Sequence, residues 1–122
     1  MRFVIPIEPR TKKNSQQIII AGGRPMIIPS KSYKEFEEAA LWHIEKIGID
    51  YPVNVKAHFY MKTKRRVDLT NLLEALDDVL VKGGLLLDDN YKIIASHDGS
   101  RVFFDKDNPR IEVEIERSSY GF

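Results

Sequence analysis

The sequence predicts an α+β domain in which a mixed or mostly antiparallel sheet is packed by two main helices. Short alternating or apolar runs typical of strands recur along the chain, and two longer segments have apolar residues at helical spacing. The two patterns do not alternate strictly, as they do in parallel βαβ proteins. At 122 residues, 43% of them hydrophobic, the chain has the size and composition of one core, so we expect a single domain over residues 1–122.

The N-terminal part predicts a strand and a hairpin. Residues 2–7 are mostly apolar and predict the first strand. Two further apolar runs, 17–21 and 25–28, flank Gly22 and Gly23. Because both glycines can adopt the positive φ that a two-residue turn needs, this spacing predicts a tight hairpin.

The first helix is predicted over residues 31–47, where apolar residues repeat at the spacing of one helical face. Ser30 or Ser32 is expected as its N-cap. Trp42 and His43 fall at the margins of the apolar face, so we expect both to pack in the core.

The second half of the chain predicts another strand, a second helix and three short strands. Residues 52–60 alternate between apolar and polar, as expected of a strand with one wet face. Asp68 is a potential N-cap for a leucine-rich helix that ends before Gly83. Beyond a polar turn, strand-like runs follow at 92–96, 101–104 and 110–116.

Composition excludes several kinds of site and location. The chain contains no cysteine, which removes disulfides, thiolate metal sites and cysteine nucleophiles. The histidines, His43, His58 and His97, are scattered, so we expect structural or surface roles for them. The apolar run at the N-terminus is too short for a signal sequence and no run is long enough for a membrane span, so we expect a cytoplasmic protein without a membrane partner.

The net charge of +1 conceals basic and acidic segments of opposite sign. Residues 1–34 hold seven bases and one acid, residues 51–67 hold five bases and no acid, and residues 68–89 hold six acids and one base. Basic loops can neutralise phosphates, and amide side chains can add hydrogen bonds to them. This pattern favours nucleic acid as a partner, although solvated surface is the alternative for any one basic stretch. The side chains expected to contact DNA are Lys12, Lys13, Asn14, Lys62, Lys64, Arg65 and Arg66.

The acidic segment is a candidate metal site. On a helical wheel Asp68, Asn71 and Asp78 share one face, with Glu74 at its margin. The apolar run 85–87 leads into Asp88-Asp89, and it can bring this pair back beside the start of the helix. Converging carboxylates repel unless a proton or cation neutralises them, and Mg²⁺ prefers such oxygen ligands. An ordinary solvated helix face remains the alternative at this stage.

The block from Lys64 to Asp89 resembles the core of the RusA family of Holliday-junction resolvases. It reads KRRVDLTNLLEALDDVL, followed by Gly84 and then Asp88-Asp89. The family has a basic run, an Asp-Leu-Asp-Asn motif on a helix and a later Asp-Asp pair. The N-terminal segment IPIEP and the start of the first helix are also similar, so the resemblance spans most of the chain.

The resemblance implies a homodimeric, Mg²⁺-dependent endodeoxyribonuclease, with Mn²⁺ as a substitute metal, that nicks paired strands of four-way junctions in recombination and repair. Bacteria and phage-infected cells are the implied setting. The catalytic aspartates correspond to Asp68 and Asp89. The expected metal ligands are Asp68, Asp78, Asp88 and Asp89.

The chain departs from the family pattern within the helix motif. Thr70 stands where the family has a second Asp, and Glu74 stands where it has a lysine. Either Asp78 or Glu74 is recruited to the metal, with the wheel favouring Asp78, or activity is weakened; the roles of Thr70, Asn71 and Glu74 stay open. One alternative function is a non-catalytic junction-binding module, and another is an unrelated protein whose acidic helix binds a partner protein.

Overall fold

The computed structural model describes residues 1–12 and 16–119. In this part of the chain the fold is α+β, as the sequence predicts. In chain order its elements are β1 (Arg2–Ile5), β2 (Gln16–Ala21), β3 (Arg24–Pro29), α1 (Lys31–Leu41), β4 (Val53–Met61), α2 (Leu69–Lys82), β5 (Ile94–Ser96), β6 (Arg101–Phe104) and β7 (Arg110–Arg117). No helix in these residues has the length and apolar character of a membrane-spanning segment.

The main sheet is mixed. Its strands lie in the order β1, β7, β4 and β5, with β6 pairing the second half of β4. The β1–β7 and β7–β4 pairs are antiparallel, whereas β5 and β6 run parallel to β4. Alternate residues of β4 and β7 are buried and join residues of α1 and α2 in one core, so the helices cover one face of the sheet.

β2 and β3 form a separate two-stranded ribbon in the described residues. Gly22 and Gly23 adopt φ angles of 59° and 78°, and their neighbours Ala21 and Arg24 pair across the turn. The predicted hairpin is therefore confirmed. Positive φ at both turn positions matches the right-handed twist of the two strands.

α1 is shorter than the sequence predicts. Ser30 is its N-cap and accepts a hydrogen bond of 3.3 Å from the backbone N–H of Tyr33, which confirms one of the two expected caps. The helix ends at Leu41, so the expectation of a helix to residue 47 is wrong. Beyond it, the N–H groups of Ile47 and Gly48 donate to the carbonyl of Gly84 at 3.0 and 2.8 Å.

The early end of α1 also overturns the expected burial of two side chains. Trp42 is 88% exposed and His43 is exposed, so the prediction that they pack in the core is wrong. Both residues follow the last helical residue, and the backbone after them pairs with the segment that leaves α2. The helical wheel therefore no longer applies at these positions.

α2 has the predicted start, end and apolar face. Asp68 occupies its N-cap position and Gly83 its C-cap position. The buried residues are Leu72, Leu73, Ala75, Leu76, Val79 and Leu80. Leu85 and Leu86 are also buried, and Leu86 forms an isolated β-bridge with Ile49. The burial of this segment brings the chain back toward the helix.

Candidate active site

A pocket of about 240 Å³ lies where the turn after α2 returns to the first half of that helix. α2 contributes Thr70, Glu74 and Asp77 to its lining, the turn contributes Asp89, and the segment after β5 contributes His97. Leu73 provides an apolar wall. The return of Asp89 to the start of the helix is the juxtaposition that the apolar run 85–87 predicts.

The pocket uses a different face of α2 from the one that the sequence singles out. At about 100° per residue, the lining residues of α2 span an arc of roughly 100° next to the leucine stripe. Asp78 falls outside this arc and is not among the lining residues, whereas Glu74 is. Glu74, at the margin of the predicted face, therefore shares the pocket with Asp89, whereas Asp78 does not.

Asp68 holds the N-cap position of α2 without capping the helix through its side chain. An N-cap aspartate ordinarily accepts a hydrogen bond from an N–H group in the first turn. Here its Oδ2 instead accepts one from the Asn71 side chain at 3.3 Å. The carboxylate consequently remains on the exposed end of the helix, two residues before Thr70.

Asp88 shapes the turn that presents Asp89. Its Oδ1 accepts the Asp89 backbone N–H at 2.7 Å, and its Oδ2 accepts the Asn90 amide at 3.1 Å. These hydrogen bonds, led by the one from the Asp89 backbone, lower the pKa of Asp88. Both oxygens of Asp88 thus serve the turn, while Asp89 lines the pocket.

Asp78 is paired with Lys12 in a salt bridge. The hydrogen bond that Lys12 donates to Asp78 is the main cause that raises the pKa of Lys12, with further contributions from Glu37 and Glu74. The same three carboxylates add to the effect of burial in raising the pKa of Tyr33. Asp78 therefore faces α1 and the N-terminal loop, and its role as a metal ligand stays a prediction.

Asp77 and His97 form a pair inside the pocket. The His97 Nε2 lies 3.0 Å from Oδ1 and 2.9 Å from Oδ2 of Asp77. Burial raises the pKa of Asp77, the hydrogen bond with His97 opposes this shift, and the charges of Asp89 and Asp78 add to it. Repulsion among these carboxylates means that the pocket favours an added positive charge.

A second, basic pocket lies at the loop that precedes α2. It has a volume of about 140 Å³ and is lined by Arg10, Arg65 and Arg66 together with Glu8, Thr11 and Thr63, among others. Arg10 is paired with Glu8 at 3.1 Å, so Arg65 and Arg66 supply the excess positive charge of this pocket. Lys62 and Lys64 are exposed on the same loop, and the Lys64 Nζ lies 5.0 Å from the Phe104 ring centroid. Guanidinium and hydroxyl groups around a small concavity can bind phosphate oxygens.

The predicted site residues thus separate into groups. Asp89 and Glu74 lie in one pocket, and Asp68 and Asn71 lie at the adjacent end of α2. Asp88 instead accepts hydrogen bonds within its own turn, and Asp78 forms a salt bridge with Lys12. Lys13 and Asn14 lie outside the described residues. Across residues 1–12 and 16–119, no three histidine or acidic side chains converge as a ready-made metal centre.

Sequence reasoning missed Asp77 and His97 as residues of the pocket. Asp77 sits one residue before Asp78, and the sequence pattern distinguishes it only as a member of the acidic segment. His97 is separated from α2 by the turn and β5, and a scattered histidine gives no local signal. A weak signal lies in the short segment between Asp89 and β5, because it limits how far the residues after β5 can lie from α2.

A larger pocket of about 380 Å³ lies on the opposite, open face of the sheet. Arg2 and Lys56, two of its charged lining residues, are both paired with Glu114, at 3.3 and 3.9 Å. A Glu116 contact and these two cations lower the pKa of Glu114. Since these groups neutralise one another, the smaller acidic pocket on α2 is the better candidate active site.

Fold and site together define an α+β protein with a carboxylate-lined pocket next to a cationic loop. The family described as Endodeoxyribonuclease RusA matches residues 6–116, which cover most of the chain and all of both pockets. The chain therefore belongs to the RusA endodeoxyribonuclease family, and the resemblance read from the sequence is confirmed. A comparison with curated proteins returned no match.

Proposed function

We propose that this protein is a Mg²⁺-dependent endonuclease that resolves four-way DNA junctions by paired nicking, acting as a homodimer. Membership of the RusA family supports an endodeoxyribonuclease. One observation carries the proposal to this chain: Asp89 returns to the flank of α2, while Arg65 and Arg66 line a basic pocket just before the same helix. Carboxylates for a metal and cations for phosphate then share one region.

The donor set of the acidic pocket fits a hard divalent cation. Its polar groups on α2 and the returning turn are carboxylate and hydroxyl oxygens, and Mg²⁺ is typically held by one or two carboxylates, waters and substrate phosphates. We assign the metal to Asp68 and Asp89, with Glu74 adding charge where Thr70 cannot. When bound, Mg²⁺, or Mn²⁺ in its place, supplies polarisation of the scissile phosphate and activation of water.

The other residues bind and orient the DNA. Arg65, Arg66 and Arg10 hold phosphates near the start of α2, and Lys62 and Lys64 extend this surface. Asp88 fixes the turn so that Asp89 stays in the pocket. A dimer presents two such sites at a fixed separation, and a branched substrate can satisfy both at once.

The test is cleavage of a synthetic four-way junction, with linear duplex of the same sequence for comparison. Wild type with Mg²⁺ should nick the junction in symmetry-related strands. Because Asp89→Asn removes a charged oxygen ligand, cleavage should fall by more than about 100-fold while junction binding persists. Asp50→Asn, an exposed aspartate outside both pockets, is the matched control and should cleave like wild type.

A wild-type protein that binds the junction but leaves it intact with Mg²⁺ and with Mn²⁺ contradicts the nuclease proposal. That result would favour the non-catalytic binding module, with Thr70 as the mark of a lost site. Equal affinity for junction and duplex contradicts junction selectivity. Size-exclusion chromatography with light scattering tests the dimer separately.

A further inference from the structure

The Asp77–His97 pair is fixed from both of its sides. α2 supplies Asp77, whose side chain is 14% exposed and has both carboxylate oxygens within hydrogen-bonding distance of the His97 Nε2. On the other side, Asn54 of β4 holds the residues that flank His97. Its Oδ1 accepts the Ser96 hydroxyl at 2.5 Å and the Asp98 N–H at 2.7 Å, and its Nδ2 donates to the Asp98 carbonyl at 3.1 Å.

This anchoring keeps His97 in the acidic pocket. The imidazole side chain is 27% exposed and lines the pocket together with Asp89 and Glu74. A histidine with a purely structural role would need neither a buried carboxylate partner nor hydrogen bonds that fix the backbone on both sides of it. The arrangement is that of a pre-positioned ring that lines the pocket and is partly exposed there.

The partner of Nε2 determines which ring nitrogen serves the pocket. An ionised carboxylate accepts hydrogen bonds and cannot donate them, so Asp77 selects the neutral tautomer with its proton on Nε2. Both contacts with Asp77 are made by Nε2, and neither uses Nδ1. That nitrogen then carries a lone pair and can accept a proton.

We infer that His97 is the proton acceptor for the water that attacks the scissile phosphate, with Asp77 as the positioning residue that holds its ring. This inference rests on the proposed nuclease function. As the bond from the water oxygen to phosphorus forms, the water proton passes to Nδ1. The bond from phosphorus to the 3′ oxygen breaks, its electron pair stays on that oxygen, and solvent water protonates it. The imidazolium afterwards returns its proton to solvent.

The charged groups around the ring are carboxylates. The ionisable groups of α2 near the pair are Asp77, Glu74 and Asp78, and the turn contributes Asp89. β4 contributes the neutral Asn54. No lysine or arginine belongs to the pocket lining described here. The proposed proton acceptor is therefore bordered by carboxylates and by no cation of the described lining.

The kinetic test compares His97→Gln with His43→Gln in single-turnover cleavage at saturating metal. General-base catalysis contributes about 10² to 10⁴, so His97→Gln should lose at least about 100-fold in rate while the junction Kd changes less than about threefold. His43 is exposed outside the pocket, and its variant should match wild type. In His97→Ala, added imidazole should restore part of the rate in a saturable way, and His43→Ala should not respond.

Two further measurements separate this role from others. Long-range ¹H–¹⁵N NMR of the metal-free protein should show His97 protonated at Nε2 and unprotonated at Nδ1 when its ring is neutral. Titration with Mn²⁺ should give the same affinity for His97→Gln and wild type. A fall in Mn²⁺ affinity with a normal rate at saturating metal makes His97 a metal ligand and overturns the inference.

The outcomes distinguish the inference from the function beneath it. Wild type that cleaves, together with His97→Gln that cleaves equally fast, overturns the inference and leaves the nuclease function intact. A proton found on Nδ1 in the neutral ring also overturns it, whether or not any variant folds poorly. Wild type that cleaves nothing overturns both proposals.

Discussion

Thr70 is the residue at which this chain departs most clearly from the family motif, and it lines the acidic pocket. Its hydroxyl offers an oxygen without charge beside Glu74 and Asp89. Because Thr70→Asp adds a further carboxylate to this pocket, we expect Mn²⁺ to bind several-fold more tightly and cleavage to match or exceed wild type. Calorimetry and junction cleavage measure the two effects.

Thr70→Asn is the matched control, since it has nearly the shape of the aspartate variant without its charge. It should leave metal affinity close to that of wild type. A folded Thr70→Asp protein that has lost cleavage contradicts the view that Glu74 and Asp89 form a site with room for another ligand.

Asp105 gives a prediction about pH. Arg110 donates to it at 2.9 Å, and this hydrogen bond is the first cause that lowers the pKa of Asp105 below its ordinary value of 3.8. A carboxyl whose folded-state pKa is depressed stabilises the fold above the unfolded-state value and loses that contribution as pH falls through the folded-state value. Wild type should therefore melt higher than Asp105→Asn at pH 7, and the gap should close below about pH 4.

The control for this effect is Asp50→Asn, which removes an exposed aspartate outside the Arg110 contacts. Its melting temperature should track wild type across the same pH range. A gap between Asp105→Asn and wild type that widens toward acid pH contradicts the assigned direction of the shift.

For single residues, the sequence predicts where a side chain lies on its helix or turn better than it predicts which other side chain it contacts. The approach of Asp89 to α2 follows from a short apolar run and could be foreseen. The pairing of Asp78 with Lys12 and of Asp77 with His97 joins segments that are far apart in the chain. A helical wheel gives directions around one axis and contains no information on what faces it.

Among the elements, α1 shows the limit of periodicity most clearly. Apolar spacing continues to residue 47, yet the helix ends at Leu41 because the following backbone pairs with the segment after α2. The hairpin and α2 are predicted well, since glycine turns and a leucine stripe are local signals. The end of α1 depends on a tertiary contact.

The loop after α1 lies so close to the end of α2 that a side chain at Gly83 has little room. A Cβ at this position would lie 2.4 Å from Cγ2 and 2.7 Å from Cβ of Ile44. Although alanine favours helices, we expect Gly83→Ala to lower the free energy of unfolding by about 1–3 kcal/mol because the loop after α1 must move. Urea unfolding measures the change.

A double variant with Ile44→Ala provides the control, because it removes the Cγ2 atom that lies nearest to the new methyl group and leaves only the 2.7 Å approach to Cβ. The two changes should then cost less together than the sum of their separate effects. Additive costs, or an unchanged Gly83→Ala protein, contradict the close approach of the loop to the end of α2.

For the whole molecule, the near-neutral net charge of +1 conceals a cationic loop before α2 and an acidic α2, to which the proposed function assigns different parts of one substrate. We expect Gln at Lys64, Arg65 and Arg66 together to weaken junction binding. The slope of log K against log salt should flatten by about 2 to 3 units, since each phosphate contact contributes roughly 0.9. Fluorescence anisotropy over a salt series checks this.

The matched control replaces Lys34, Lys46 and Lys106, which lie outside the basic pocket, with Gln. This protein has the same net charge as the test variant, so it should keep most of the salt slope. Equal slopes for the two triple variants would contradict a localised DNA-binding surface. The sequence predicts these segments by simple counting, whereas the participation of Arg10 emerges only from the fold.

The most direct test of the central claim is a crystal structure of the protein grown with Mn²⁺ and analysed by anomalous scattering. We predict a manganese peak in the acidic pocket, bound by Asp89 and at least one of Asp68 and Glu74. A peak absent from this pocket at saturating Mn²⁺, in a protein that cleaves junctions under the same conditions, would contradict the assignment.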